Sequence, residues 1–128
     1  MDGNRSMKKI LVVDDNKKNR KLLRVILVNS GYEVYEAENG KEGLEAVQRI
    51  FPDLVLMDYR MPVLDGIEAT KEIKSRSATA GIPVFIVTSS AMSGDRQRIC
   101  SESSCDGFFT KPINYQLILE KIKETIGS

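Results

Sequence analysis

The chain reads as an α/β protein: a doubly wound five-stranded parallel sheet flanked by five helices. Three observations predict this fold. Short apolar runs alternate with longer amphipathic stretches five times over, the order produced when helices cross over between parallel strands. Three of the runs, ILVV, LVLM and PVFIV, are continuously apolar, as strands covered on both faces are. The length, 128 residues, suits one domain able to bury a core without disulfide or metal staples.

Each element follows in order. Residues 1–6 read as a disordered leader. KILVVDD is a buried strand ending in two acids. NKKNRKLLRVILVNSG is a helix in which Leu22 with Ile26, and Leu23 with Leu27, fall four apart, and Gly31 supplies the C-terminal cap. YEVYEA is a second strand, and ENGKEGLEAVQRI a turn plus helix. DLVLMD is the third strand, and GIEATKEIKS a third helix with Ile67 and Ile73 among its apolar positions. IPVFIVTS is the fourth strand, and roughly Ser93 to Ser103 a weakly apolar fourth helix. GFFTK makes the fifth strand. After Pro112, NYQLILEKIKETI forms the last helix, with Ile118, Ile122 and Ile126 in line. Ser128 follows that helix directly, so the expectation is one domain, residues 7–128, with no output domain after it.

Composition narrows the function. Nineteen basic against eighteen acidic residues give a net charge of +1, which offers no reason to expect direct nucleic-acid or membrane binding. The basic residues crowding the N-terminal third, Lys17, Lys18, Arg20 and Lys21 among them, read as a solvated helix face. Cys100 and Cys105 are the two cysteines; they read as inert thiols in a reducing compartment. No signal core or membrane-length run occurs, so a cytoplasmic protein is expected. The chain has no histidine, which excludes histidine-based triads and histidine metal ligands. Chemistry is left to carboxylates, hydroxyls and lysines.

In open parallel sheets, sites gather beyond the carboxyl ends of the strands. There the sequence places Asp14 and Asp15, Asp58, Thr88 and Lys111. Three carboxylates within ~5 Å repel by about 3 kcal/mol per pair at an effective dielectric near ~20. One lysine cannot balance them, so a divalent cation is called for. An all-oxygen ligand set selects Mg2+. A dication beside a carboxylate, a lysine and a hydroxyl describes a phosphoryl-transfer site, with Asp58 as nucleophile. Asp14 or Asp15 could also serve as an N-cap for helix one, and Asp65 reads as a loop or cap residue.

Four fragments in this order, VVDDN, MDYRMPVLDG, IPVFIVTS and FFTKPI, resemble response-regulator receiver domains of two-component signalling, in their stand-alone, chemotaxis-regulator-like form. The resemblance covers roughly residues 8–126. It implies a flavodoxin-like strand order 2-1-3-4-5 and Asp58 as phosphoacceptor. Asp15, Asp58 and the backbone carbonyl of Arg60 would ligate magnesium, with Asp14 acting through a water. Lys111 would pair with the phosphoryl group, and Thr88 would hydrogen-bond it. Phe108 stands at the aromatic switch position, with packed core as its alternative role. Pro62 and Gly66 would shape the loop into helix three, and a cis bond is expected before Pro112.

The chain departs from the family's usual pattern at a few positions. Phe108 lacks the hydroxyl of the commoner tyrosine. Ser104 stands where a glycine often ends helix four, so a left-handed backbone there would be disfavoured by roughly 1 kcal/mol. Ser89 and Leu64 replace a common alanine and methionine, and Arg60 and Ser90 flank the site where they would influence the phosphoryl lifetime.

The implied function is a phosphoacceptor signalling domain. Its donor would be a histidine kinase or histidine phosphotransfer protein. Its output would be a changed α4–β5–α5 surface presented to a downstream protein, or a phosphorylation-dependent homodimer. Two alternatives stand beside it. A haloacid-dehalogenase-type phosphohydrolase wants a second acid two residues after the nucleophile, where Arg60 stands. A phosphorylation-independent adaptor would merely keep the pocket.

Overall fold

The computed structural model describes residues 7–59, 61, 63–89 and 93–127; the expected leader, residues 1–6, lies outside them. The elements are β1 (Lys9–Val13), α1 (Lys17–Asn29), β2 (Glu33–Ala37), α2 (Gly40–Ile50), β3 (Leu54–Asp58), α3 (Gly66–Ser75), β4 (Val84–Thr88), α4 (Ser93–Ser103), β5 (Gly107–Thr110) and α5 (Tyr115–Ile126). All neighbouring strands pair parallel, in the order β2-β1-β3-β4-β5. The doubly wound sheet expected from the sequence is present.

Alternation along each strand divides the core in two. Leu11, Val13, Val55, Met57, Val84, Ile86 and Phe108 face α2, α3 and α4, packing with Val47, Ile73 and Ile99. Ile10, Val12, Leu54, Leu56, Phe85 and Val87 face α1 and α5, against Leu23, Leu27, Ile118 and Ile122. Each fully buried isoleucine or leucine contributes about 1.5–3 kcal/mol, so the sheet's central strands are anchored from both sides.

Helix starts follow local chemistry. The side chains of Asn16, Asn39, Asp65 and Asn114 accept from the backbone N–H three residues on, opening α1, α2, α3 and α5. Asp65 is thus a cap, as expected. The cap of α1 is Asn16 rather than either acid, because Asp14 turns back to accept from Asn16 N at 2.8 Å. Of the two predicted apolar pairs on α1, Leu23 and Leu27 enter the core, whereas Leu22 is 47% exposed along with Val25 and Val28. Gly31, just past the α1 cap Ser30, has φ +97°. Ser104 does adopt the left-handed backbone, with φ +62°.

Candidate phosphoacceptor site

Parallel strands bring their carboxyl ends to one edge, and β1, β3, β4 and β5 deliver Asp14, Asp58, Thr88 and Lys111 there. Asp14, Asp58 and Thr88 are buried, whereas Asp15 is exposed. Asp14, Asp15 and Asp58 each offer a carboxylate oxygen, and these oxygens lie within 4.8 Å of one another. Lys111 Nζ reaches into the cluster, 3.0 Å from Asp58 Oδ1 and 3.2 Å from Asp14 Oδ2.

The loop that carries Lys111 is shaped by its own backbone. Lys111 N donates to Thr88 O at 2.8 Å, and the Lys111–Pro112 peptide is cis. Gly66 opens α3 directly beneath the acid: its N–H donates to Tyr59 O at 2.8 Å. A Cβ at Gly66 would run into the carbonyl oxygen of Asp58 and the Cα of Tyr59, so glycine here is a requirement of close approach.

The electrostatics follow from crowding. Burial, then the charge of Asp14, pushes the Asp58 carboxyl up to about 6, although the Lys111 hydrogen bond works the other way. Burial pulls the Lys111 ammonium down, but its hydrogen bond to Asp58 and the charges of Asp58 and Asp14 more than offset this and raise it. The two directions agree: this edge carries more negative charge than one lysine neutralises. Asp14 already accepts from Asn16 N and from Lys111, while Asp15 is exposed. The donor set of hard oxygens fits a dication of the magnesium class.

Of the residues singled out from the sequence, Asp14, Asp15, Asp58 and Lys111 converge. Thr88 ends β4 on the same edge, and Phe108 lies one strand over, beside Ile86 in register. Arg60, Pro62 and Ser90 lie outside the described residues. One residue that sequence reasoning passed over is Arg20. It reads as a solvated helix face, yet its side chain is only 12% exposed. Arg20 Nη1 donates to Asp14 O at 2.7 Å while Nε pairs with Glu36 Oε1 at 3.1 Å. Arg24 Nε pairs with the other Glu36 oxygen at 3.1 Å. The loop carrying the acidic pair is therefore strapped to β2. The available signal was spacing: six residues after Asp14, one helical turn into α1, a long cation can fold back onto the strand end.

An apolar cavity of about 190 Å³ adjoins the cluster on the α1 and α5 face, between Leu23, Leu56, Val87, Ile113 and Tyr115, with Asp58 and Lys111 at its rim.

This arrangement is the site of a signalling domain, and the chain belongs to the response regulator receiver domain family, whose sequence profile matches residues 10–123. Among curated proteins it is 39% identical over 120 residues to the polar-differentiation response regulator DivK of Brucella anthropi, covering 94% of this chain and 97% of that protein. Among solved structures it superposes on Vibrio cholerae chemotaxis protein CheY4 with TM-score 0.86 at 28% identity, covering 94% of this chain and 99% of that one. It superposes equally on the receiver domain of the Pseudomonas aeruginosa sensor histidine kinase PA1611, with TM-score 0.87 at 31% identity, covering 96% and 100%. That structure has a magnesium ion coordinated in its active-site cleft. The chain is thus a response-regulator receiver of the DivK and CheY type. Among its described residues, no helix is long and apolar enough to cross a membrane.

Proposed function

We propose that the protein accepts a phosphoryl group on Asp58 from the phosphohistidine of a histidine kinase or phosphotransfer protein, in a magnesium-dependent reaction. The observation that carries this reading is the Asp58 carboxylate held 3.0 Å from Lys111 Nζ, inside an acidic cluster that one lysine leaves under-compensated.

Asp15 and Asp58 would hold the metal directly, with the Arg60 carbonyl, and Asp14 through a water. Asp14 is the acid whose oxygens are already engaged. Bound there, magnesium supplies positive charge to the phosphoryl oxygens. An Asp58 oxygen attacks phosphorus, the P–N bond breaks, and the electron pair leaves on the donor imidazole nitrogen, which takes a proton. A carboxyl titrating at about 6 is still mostly ionised at neutral pH, so it is available as nucleophile. Lys111 moves its hydrogen bond from Asp58 to a phosphoryl oxygen, and the Thr88 hydroxyl donates to another. Attack of water on phosphorus later breaks the Asp58 O–P bond, releasing inorganic phosphate and returning the carboxylate.

The phosphoryl group brings roughly two negative charges. Drawing Thr88 toward them biases the surface of α4, β5 and α5 between two arrangements. Among the described residues of α4, Ile99 is the one fully buried apolar side chain, a single anchor about which the helix would pivot. Phe108 is buried and has no hydroxyl to satisfy, so its part in the change is packing. The signal passes in the cytoplasm to a separate protein, or to a second copy once phosphorylated. With no histidine in the chain, onward transfer of the phosphoryl group needs a separate carrier.

The test is incubation with acetyl phosphate and magnesium, followed by intact mass and peptide mapping. Wild type gains one phosphoryl group at Asp58, and chelation of the metal prevents it. Equal labelling of Asp58→Asn protein would sink the reading.

A further inference from the structure

We propose that Cys100 and Cys105 are a modification site: they close to an intramolecular disulfide when a peroxide is present, pinning the end of α4 to the start of β5. The two are free thiols, both half-buried, and no role at the phosphoacceptor site involves them. Their sulfurs lie 3.0 Å apart, with the Cys105 thiol donating to the Cys100 sulfur. A disulfide bond is about 2.05 Å long, so roughly one ångström of approach closes it.

The turn between them is already held in shape. Ser103 Oγ donates to Ile99 O at 2.6 Å and accepts from Cys105 N at 3.2 Å. Ser104 sits in the left-handed region that reverses the chain. Ile99, fully buried, anchors the helical side, and Asp106 N donates to Val84 O at 2.8 Å on the strand side. Neither cysteine has to leave a packed position to meet the other.

The hydrogen bond assigns the roles. The Cys105 thiol commits its proton to the Cys100 sulfur, and burial, then the contact with Cys100, pushes that thiol up, so Cys105 keeps its proton and Cys100 is the sulfur that meets the peroxide first. The Cys100 sulfur attacks one peroxide oxygen; the O–O bond breaks, the departing oxygen takes the Cys100 proton and leaves as water, and a sulfenic acid forms. Cys105 sulfur then attacks Cys100 sulfur. The S–S bond forms, the S–O bond breaks, and the Cys105 proton leaves with the hydroxyl as water. Two thiols and one peroxide become one disulfide and two waters, and an excess of small thiol reverses it.

The experiment treats the reduced full chain with hydrogen peroxide and follows intact mass, free thiols and dimedone trapping. Wild type should lose two hydrogens without dimerising and recover both with dithiothreitol. Cys105→Ser (and Cys105→Ala) should trap dimedone at Cys100, whereas Cys100→Ser (and Cys100→Ala) should leave Cys105 unmodified. Retention of both thiols, intermolecular bridging, or labelling first at Cys105 overturns the proposal. Amide exchange across residues 99–107 should slow by about tenfold or more on oxidation, and unchanged exchange there would overturn the pinning.

Discussion

Asp58 is a charged side chain placed where charge is expensive. Its carboxyl is pushed up to about 6, by burial first and by Asp14 second, against about 3.9 for an unperturbed aspartate. A raised acid binds its proton more readily in the folded state than in the unfolded chain. The resulting penalty is present above about 6 and is relieved as the pH falls toward the unfolded value. Asp58→Asn removes it. In metal-free buffer at pH 7.5 the variant should be more stable than wild type by about 1–2 kcal/mol, discounted for the partial solvent access of the group. Chemical denaturation measures this, and the advantage should shrink by pH 4.5. A variant less stable than wild type at pH 7.5 would mean that the Lys111 contact outweighs the crowding.

At the scale of elements, the site is the meeting of a strand end and a helix start. α3 begins one glycine away from the Asp58 carbonyl, and its cap Asp65 accepts from Glu68 N at 2.9 Å. Gly66→Ala forces a methyl group into backbone that has no rotamer by which to yield. It should cost about 2–3 kcal/mol, the upper part of the range for overpacking, measurable as a fall in the urea midpoint at unchanged m-value. A loss below about 0.5 kcal/mol would show that the β3–α3 loop gives way easily. The far end of α3 is held differently. Lys74 Nζ reaches Asp106 Oδ2 at 2.7 Å and Ile82 O at 2.7 Å, while Asp106 Oδ2 also accepts from Val84 N at 2.8 Å. That lysine ties α3 to the entries of β4 and β5, opposite the acidic edge.

Over the whole molecule, folding concentrates negative charge at one edge, and a ligand that binds only the folded edge stabilises the fold by mass action. Magnesium at 100 times its dissociation constant should add about 2.7 kcal/mol. The thermal midpoint should therefore rise with magnesium and fall back with chelator. Asp15→Asn should blunt the rise while leaving the metal-free midpoint within a degree or two, because Asp15 is exposed and its removal disturbs no packing. A magnesium response of undiminished size in that variant would remove Asp15 from the ligand set.

Local pattern by itself determined the ten elements, their order, the parallel sheet and the residue types at its carboxyl edge. Continuous apolar runs, 3.6-residue periodicity, and a caps-and-glycine vocabulary are short-range signals that one chain carries in full. The acids, the threonine and the lysine were legible because strand ends in such a sheet all arrive at one place. Tertiary structure alone decided what depends on neighbours distant in sequence. Arg20 turns out to strap the acidic loop to Glu36, because burial of a long cation is set by the strand lying across from it. Leu22 stays outside while Leu23 goes in, because the sheet touches only one stripe of α1. Asn16 takes the cap that either acid could have taken, because Asp14 is engaged by Asn16 N and by Lys111, ninety-seven residues from it in sequence. Cys100 and Cys105, inert to the eye that reads only spacing, come within bonding reach because a left-handed serine folds one back upon the other.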